Sequence, residues 1–297
     1  MIAKEILERY LAKPGKKIKL KDYDTGFVGT EEHRRLVKEK AAEILDKNRA
    51  ALADAQDRLY ADNRYAVLVI LQAIDAAGKD GTIKHVFSGV NPQGCQVYSF
   101  KAPSSQELDH TFLWRHMCAL PERGRIGIFN RSYYEDVLVV KVHPDLIQKS
   151  QLPDGPRDDR FWRARYDDIN AFERHLVRNG TIVLKFFLHV SKETQRERFL
   201  ERLERPEKNW KFSIDDLKER AFWGMYHDAY EEAITATSTE NAPWYIVPAD
   251  HKWVTRTVVA DIIVNAIDEL KLKYPTLSPT QIRDLAEAKK RLEAERG

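Results

Sequence analysis

The run Gln72-Ala73-Ile74-Asp75-Ala76-Ala77-Gly78-Lys79-Asp80-Gly81-Thr82 holds the residue types and spacing that point most directly to chemistry. Gly78 and Gly81 let a backbone turn its N–H groups toward an anion. Lys79 places a point charge beside them, and a helix beginning near Gly81 adds its N-terminal dipole. The pattern is similar to the phosphate-binding loop G-x-x-x-x-G-K-[ST], with Ala73 at the first glycine and Asp80 at the Ser/Thr. Asp80 or Thr82 is left to take the metal-associated role of the missing hydroxyl. Asp75 is the odd member, because a carboxylate in a phosphate loop repels its ligand unless a metal or an acceptor group is held there. The bland alternative is a glycine-bearing turn with an exposed lysine and a turn aspartate.

A second cluster reads Asn130-Arg131-Ser132-Tyr133-Tyr134-Glu135-Asp136. Arg131 suits bidentate phosphate binding. An acid at this place in a nucleotide kinase helps to hold Mg²⁺, and here Asn130 stands first, with the acid pair following. Glu135 and Asp136 are adjacent and therefore point apart, so at most one faces a metal squarely. The plain alternative is a surface helix start with acids in its first turn. A third cluster is basic: Arg198, Arg202 and Arg205 fall on one helical face, and Lys208 and Lys211 continue past Pro206 beside Trp210 and Phe212. Ion pairs to the neighbouring glutamates explain the helix, but a lid closing over phosphates explains the continuation better.

These clusters need a scaffold. Ala66 to Leu71 is a continuous apolar run of the kind buried on both faces of a parallel sheet. Four more strands are expected at Gln96–Phe100, Ile126–Phe129, Ile182–Val190 and Trp244–Val247. Helical patterns separate them over 105–119, 158–178, 192–204 and 214–237. The alternation predicts an α/β three-layer sandwich around a mainly parallel five-stranded sheet, with a helical lid. Ligands in such sheets sit beyond the carboxyl ends of the strands. The expected organisation is an extended arm over 1–29, a core over 30–271 with its lid around 191–225, and a charged tail over 272–297. A helix is expected from Thr30, with Leu36 and Val37 on its apolar face.

Composition narrows the class. The 297 residues carry 49 Lys and Arg against 46 Asp and Glu, a net charge of +3, which excludes bulk electrostatic binding to nucleic acid. With 43% hydrophobic residues, global disorder is excluded. No apolar run approaches the ~20 residues of a membrane helix, and the start of the chain lacks a signal-peptide core. Cys95 and Cys118 read as free thiols of a reducing compartment, so a cytoplasmic enzyme is expected. His143, His189 and His227 lack metal-ligand spacing and read as structural or solvent-facing. The aromatics between Asn241 and Trp253 read as core before they read as a base-stacking surface.

Five blocks together resemble the polyphosphate kinase 2 family: DAAGKDGTI (75–83), FNRSYYEDVLV (129–139), KFFLHVSKETQ (185–195), RLERPEKNWKF (202–212) and TSTENAPWYIVPAD (237–250). The resemblance implies a P-loop kinase fold with a helical lid, and phosphoryl transfer between inorganic polyphosphate and AMP or ADP with Mg²⁺, or Mn²⁺ as substitute. It implies catalytic roles for Asp75, Lys79, Arg131, Glu135 and Asp136, with Asp75 and Asp136 at the metal. It implies phosphate or nucleotide binding by Ala76, Ala77, Gly78, Asp80, Gly81, Thr82, Asn130, Arg198, Arg202, Arg205, Lys208 and Lys211. Some family members carry Asp where this chain has Asn130, which shifts metal binding to Asp75, Glu135 and Asp136. The NRSYYED form looks like the class III branch, which phosphorylates AMP and ADP, and the family implies a homodimer or homotetramer. The rival readings are an ATP-dependent nucleoside monophosphate kinase, a non-catalytic nucleotide- or polyphosphate-binding regulator and, last, a nucleic-acid binder.

Overall fold

The computed structural model describes residues 7–27 and 41–295. The expected helix start at Thr30, with Leu36 and Val37, lies outside the described residues. The sheet contains the five expected strands, here β2 (Ala66–Gln72), β3 (Cys95–Ser99), β4 (Ile126–Asn130), β5 (Thr181–His189) and β6 (Trp244–Pro248). All five run parallel. A sixth, β1 (Leu11–Ala12), pairs antiparallel with β6, giving the order β1-β6-β5-β2-β4-β3. Two residues are too few for any periodic signal, and their place is set by tertiary packing. Tyr10, Ala12, Ile18 and Leu20 are buried, so the described part of the arm belongs to the core.

Among the described residues, helices of eight or more residues are α1 (Ala41–Asp62), α2 (Lys79–Val86), α3 (Asp159–Arg178), α4 (Lys192–Glu204), α5 (Ile214–Ala221), α6 (Trp223–Thr237), α7 (Lys252–Asp268) and α8 (Pro279–Ala294). β2 is buried at every position, and its period of two divides the core. Val67, Val69 and Leu71 pack with α1, α2 and α7, among them Leu52, Leu59, Val86, Val258 and Ile262. Leu68 and Ile70 face the opposite layer, where α3 and α6 supply Ile169, Phe172, Ala233 and Ile234. The result is the three-layer sandwich.

Two expected helices are divided. The 105–119 stretch forms only the one-turn helices Ser105–Leu108 and Trp114–Met117, because it rides the surface and buries only His116 and Ala119. The 214–237 stretch breaks at Phe222, which ends α5 and precedes α6. In the expected tail, α8 starts with a Ser278 capping box and is exposed along its whole length.

Candidate active site

The loop after β2 turns on two left-handed residues, Ala76 (φ 59°) and Gly78 (φ 109°), and α2 starts at Lys79, two residues before the expected point. The first-turn amides of α2 have no intrahelical partner and form the anion-facing end of the device. Lys79 is nine-tenths buried, and its Nζ donates to the Ala73 carbonyl at 2.7 Å. Burial, aided by repulsion from Arg131, pulls the ammonium down to about 8. Thr82 spends its hydroxyl on the Gly78 carbonyl at 3.1 Å, so of the two residues offered for the metal-associated role only Asp80 lines the cleft. Ala77 is also withdrawn from the cleft lining.

The loop after β4 meets it from the neighbouring strand. Arg131 adopts φ 67°, a conformation costing roughly 1–2 kcal/mol for a residue with a Cβ. Its side chain is held by Asp75 (Nη2 to Oδ1, 2.9 Å) and Glu135 (Nη1 to Oε2, 3.0 Å). Those two carboxylates, Glu135 foremost, raise the guanidinium above its ordinary range. Asn130 donates to Asp80 Oδ1 at 2.8 Å and to Ser99 Oγ at 3.3 Å. An amide here satisfies Asp80, where a carboxylate would repel it.

The acid pair diverges, as adjacency requires. Glu135 turns to Arg131, whereas Asp136 lies 3.6 Å from Arg165 Nη1 of α3 and lines a different cavity. Burial pushes the Asp136 carboxyl up to about 6, against the pull of Arg165 and Arg115. Asp75 and Asp136, expected at one metal, line no common cavity, since Asp75 pairs with Arg131 and Asp136 turns to Arg165. The backbone between Arg131 and Asp136 is fixed from below. Tyr133 and Tyr134 each donate to Glu173 Oε1 at 2.8 Å, and Lys185 donates to Glu173 Oε2 at 2.6 Å, all in the core.

The basic helix α4 is anchored at its first half. Gln195 donates to the Asp75 carbonyl at 2.9 Å and accepts from Arg220 at 2.7 Å. Arg198, expected among the phosphate ligands with Arg202 and Arg205, directs Nη1 to the carbonyls of Ala76 (3.0 Å) and Ala77 (2.8 Å). Its Nη2 reaches those of Ala249 (2.6 Å) and Asp250 (3.1 Å). Helical spacing groups the three arginines, but α4 meets the loop at its first half, so the first clamps the loop while still lining the cleft. Arg198, Arg202, Lys208 and Lys211 line the cleft, while Arg205 pairs with Glu207 and Glu201 outside its lining.

Two cavities result. One, of about 630 Å³, joins the phosphate loop, Asn130, Arg131 and the basic lid residues. The other, of about 670 Å³, is richer in apolar surface, with Phe112, Leu113, Phe161 and Phe172 beside Asp136, Arg115 and Arg165. The Arg165 guanidinium lies within 4.9 Å of both the Phe112 and Phe161 rings. Lys101 and Lys252, which line the first cavity, are absent from the sequence-based set. Lys101 lies two residues beyond β3 and Lys252 opens α7 after β6, so applying the strand-end rule to those strands would have found them. Trp244 is fully buried with its Nε1 on Thr237, which makes it core and removes it as a base-stacking surface.

The chain matches the family model for polyphosphate kinase 2 over residues 35–275. It is 54% identical over 256 residues to an ADP-polyphosphate phosphotransferase of Rhodopseudomonas palustris, covering 86% of this chain and 89% of that protein. It is 44% identical over 269 residues to an AMP/ADP-polyphosphate phosphotransferase of Meiothermus ruber, covering 91% and 96%. The crystal structure of polyphosphate kinase 2 from Arthrobacter aurescens superposes with a TM-score of 0.82 at 36% identity, covering 94% of this chain and 98% of that one. With a loop, a clamp and a basic lid arranged around one cleft, the chain belongs to the polyphosphate kinase 2 family.

Proposed function

We propose that this protein transfers the terminal phosphoryl group of inorganic polyphosphate to AMP and ADP by in-line displacement with Mg²⁺. The observation that carries this reading is the pair of cavities on either side of the Arg131–Asp136 segment. A basic cleft lies over the phosphate loop, and a second cavity with more apolar surface carries Asp136. A linear polyanion fits the first, and a nucleoside fits the second, where rings and a carboxylate are available for a base and a ribose. The acceptor phosphate oxygen is already ionised, so no general base is needed. The protein's task is positioning and charge neutralisation. Lys79 and the first turn of α2 bind the reacting phosphates, Arg131 binds oxygens between donor and acceptor, and the lid bases hold the rest of the chain.

Magnesium is held by one or two carboxylates plus substrate phosphates instead of a protein cage. Two acids at the phosphate loop fit that mode. Asp75 and Asp80, the acids at the phosphate loop, are the candidates. A bound ion would neutralise charge on the phosphates.

ATP formation from polyphosphate is the direct test, with AMP and ADP supplied separately. We expect product from both, abolished by EDTA and restored by excess Mg²⁺ or Mn²⁺. The relatives from R. palustris and M. ruber differ in the acceptors that their names state, so product from ADP alone would discard the broader acceptor range. Phosphorylation of a nucleotide by ATP but not by polyphosphate would transfer the case to an ATP-dependent kinase. The proposal includes a cytoplasmic homodimer or homotetramer, checked by light scattering. No helix among the described residues is long and apolar enough to cross a membrane.

The two cavities also separate two Michaelis constants. Asp136→Asn is expected to raise the nucleotide KM about tenfold, the scale of one charge-assisted hydrogen bond. The polyphosphate KM should stay unchanged, and a rise in it would place Asp136 at the donor instead.

A further inference from the structure

The cleft over the phosphate loop contains one feature that a polyanion site should avoid. Glu201, on the lid helix α4, lines it together with the bases. Its Oε1 accepts from Lys208 Nζ at 2.5 Å and from Arg205 Nη1 at 3.4 Å. Its Oε2 lies 3.8 Å from Lys252 Nζ. Lys208 and Arg205 belong to the lid, whereas Lys252 opens α7 on the core, so this one carboxylate gathers bases from both sides of the cleft. The Lys208 hydrogen bond holds the Glu201 carboxyl below its ordinary range, so it is charged at neutral pH. The other acids at the cleft are already committed within the phosphate loops, Asp75 to Arg131 and Asp80 to Asn130. Of the acids that line the cleft, Glu201 is the one placed among the lid bases.

A fixed carboxylate there repels every phosphate that enters. Without it, however, Lys208 and Lys252 would face each other across an empty cleft and repel each other apart. Building on the polyphosphate reading above, we propose that Glu201 is a stand-in for a phosphate group. In the empty enzyme it holds Lys208 of the lid and Lys252 of the core together across the cleft, and polyphosphate must displace it from them. It thereby weakens donor binding and favours release of the shortened chain. The acceptor cavity contains none of these groups, so the nucleotide is indifferent to it.

The test is Glu201→Gln, with direct titration of polyphosphate at several salt concentrations beside steady-state assays. The dissociation constant and KM for polyphosphate are expected to fall about three- to tenfold, with the nucleotide KM unchanged. The plot of log affinity against log salt should steepen by about one, because one more base is released to the polyanion. Glu197→Gln, an exposed acid on the same helix outside the cleft lining, is the control for bulk charge. An unchanged or raised polyphosphate KM in Glu201→Gln overturns the proposal, as does an equal fall in Glu197→Gln. Glu201 is 38% exposed, so folding should survive, and Glu201→Ala repeats the measurement without the amide. Failure of the wild-type protein to bind or use polyphosphate would instead sink the functional reading itself.

Discussion

Lys79→Ala is expected to lower kcat about 10²–10³-fold, the loss that accompanies removal of one preorganised charge from a transition state. Its ammonium is held by the Ala73 carbonyl within the loop it serves, so no ordering of a flexible side chain is needed when phosphate arrives. Desolvating that ammonium costs the fold stability, so the residue is dispensable for folding. The variant leaves one carbonyl without its donor, about 1 kcal/mol, and the unfolding midpoint should move by only a few degrees. A pH profile gives an independent check. Burial pulls Lys79 down to about 8, so the free enzyme loses this cation as pH rises through that value. The value of kcat/KM for polyphosphate, which reports the free enzyme, should fall above about pH 8. Bound phosphates favour the ammonium, so kcat should persist to higher pH than kcat/KM. Near-normal turnover in Lys79→Ala, or a flat kcat/KM through pH 9.5, would remove Lys79 from the reaction.

The residues differ in how far their positions could be read in advance. The continuous run at Ala66–Leu71 announces a central parallel strand, because only burial on both faces tolerates it. The divergence of Glu135 and Asp136 follows from adjacency alone. What Asp136 meets does not, since Arg165 arrives from α3, 29 residues later. Arg198 shows the complementary limit. Helical spacing groups it with Arg202 and Arg205, yet only docking of α4 against the phosphate loop turns its guanidinium onto four carbonyls. Glu201 reads as one of a stripe of solvated glutamates until Lys252 is brought across from α7.

The second large effect concerns stability and reaches the site from beneath. Lys185 and Glu173 are an ion pair with side chains 0% and 1% exposed, so neither charge can be returned to water when the other is removed. Lys185→Met and Glu173→Gln should each cost about 3–5 kcal/mol in denaturant titrations, and the double variant should cost less than the two added together. Lys185 also donates to the Thr237 carbonyl and Tyr134, and Glu173 receives both tyrosine hydroxyls. These bonds fix the turn Tyr133–Val137, and that turn holds Glu135 against Arg131 and presents Asp136 to the second cavity. Glu173→Gln should therefore lose activity at temperatures where it remains folded, with the KM values for donor and acceptor both raised. A merely stabilising pair would leave the folded fraction fully active. Full activity per folded molecule would uncouple the buried pair from the site, and a loss below about 1 kcal/mol in Lys185→Met would show that water reaches the charge it leaves behind.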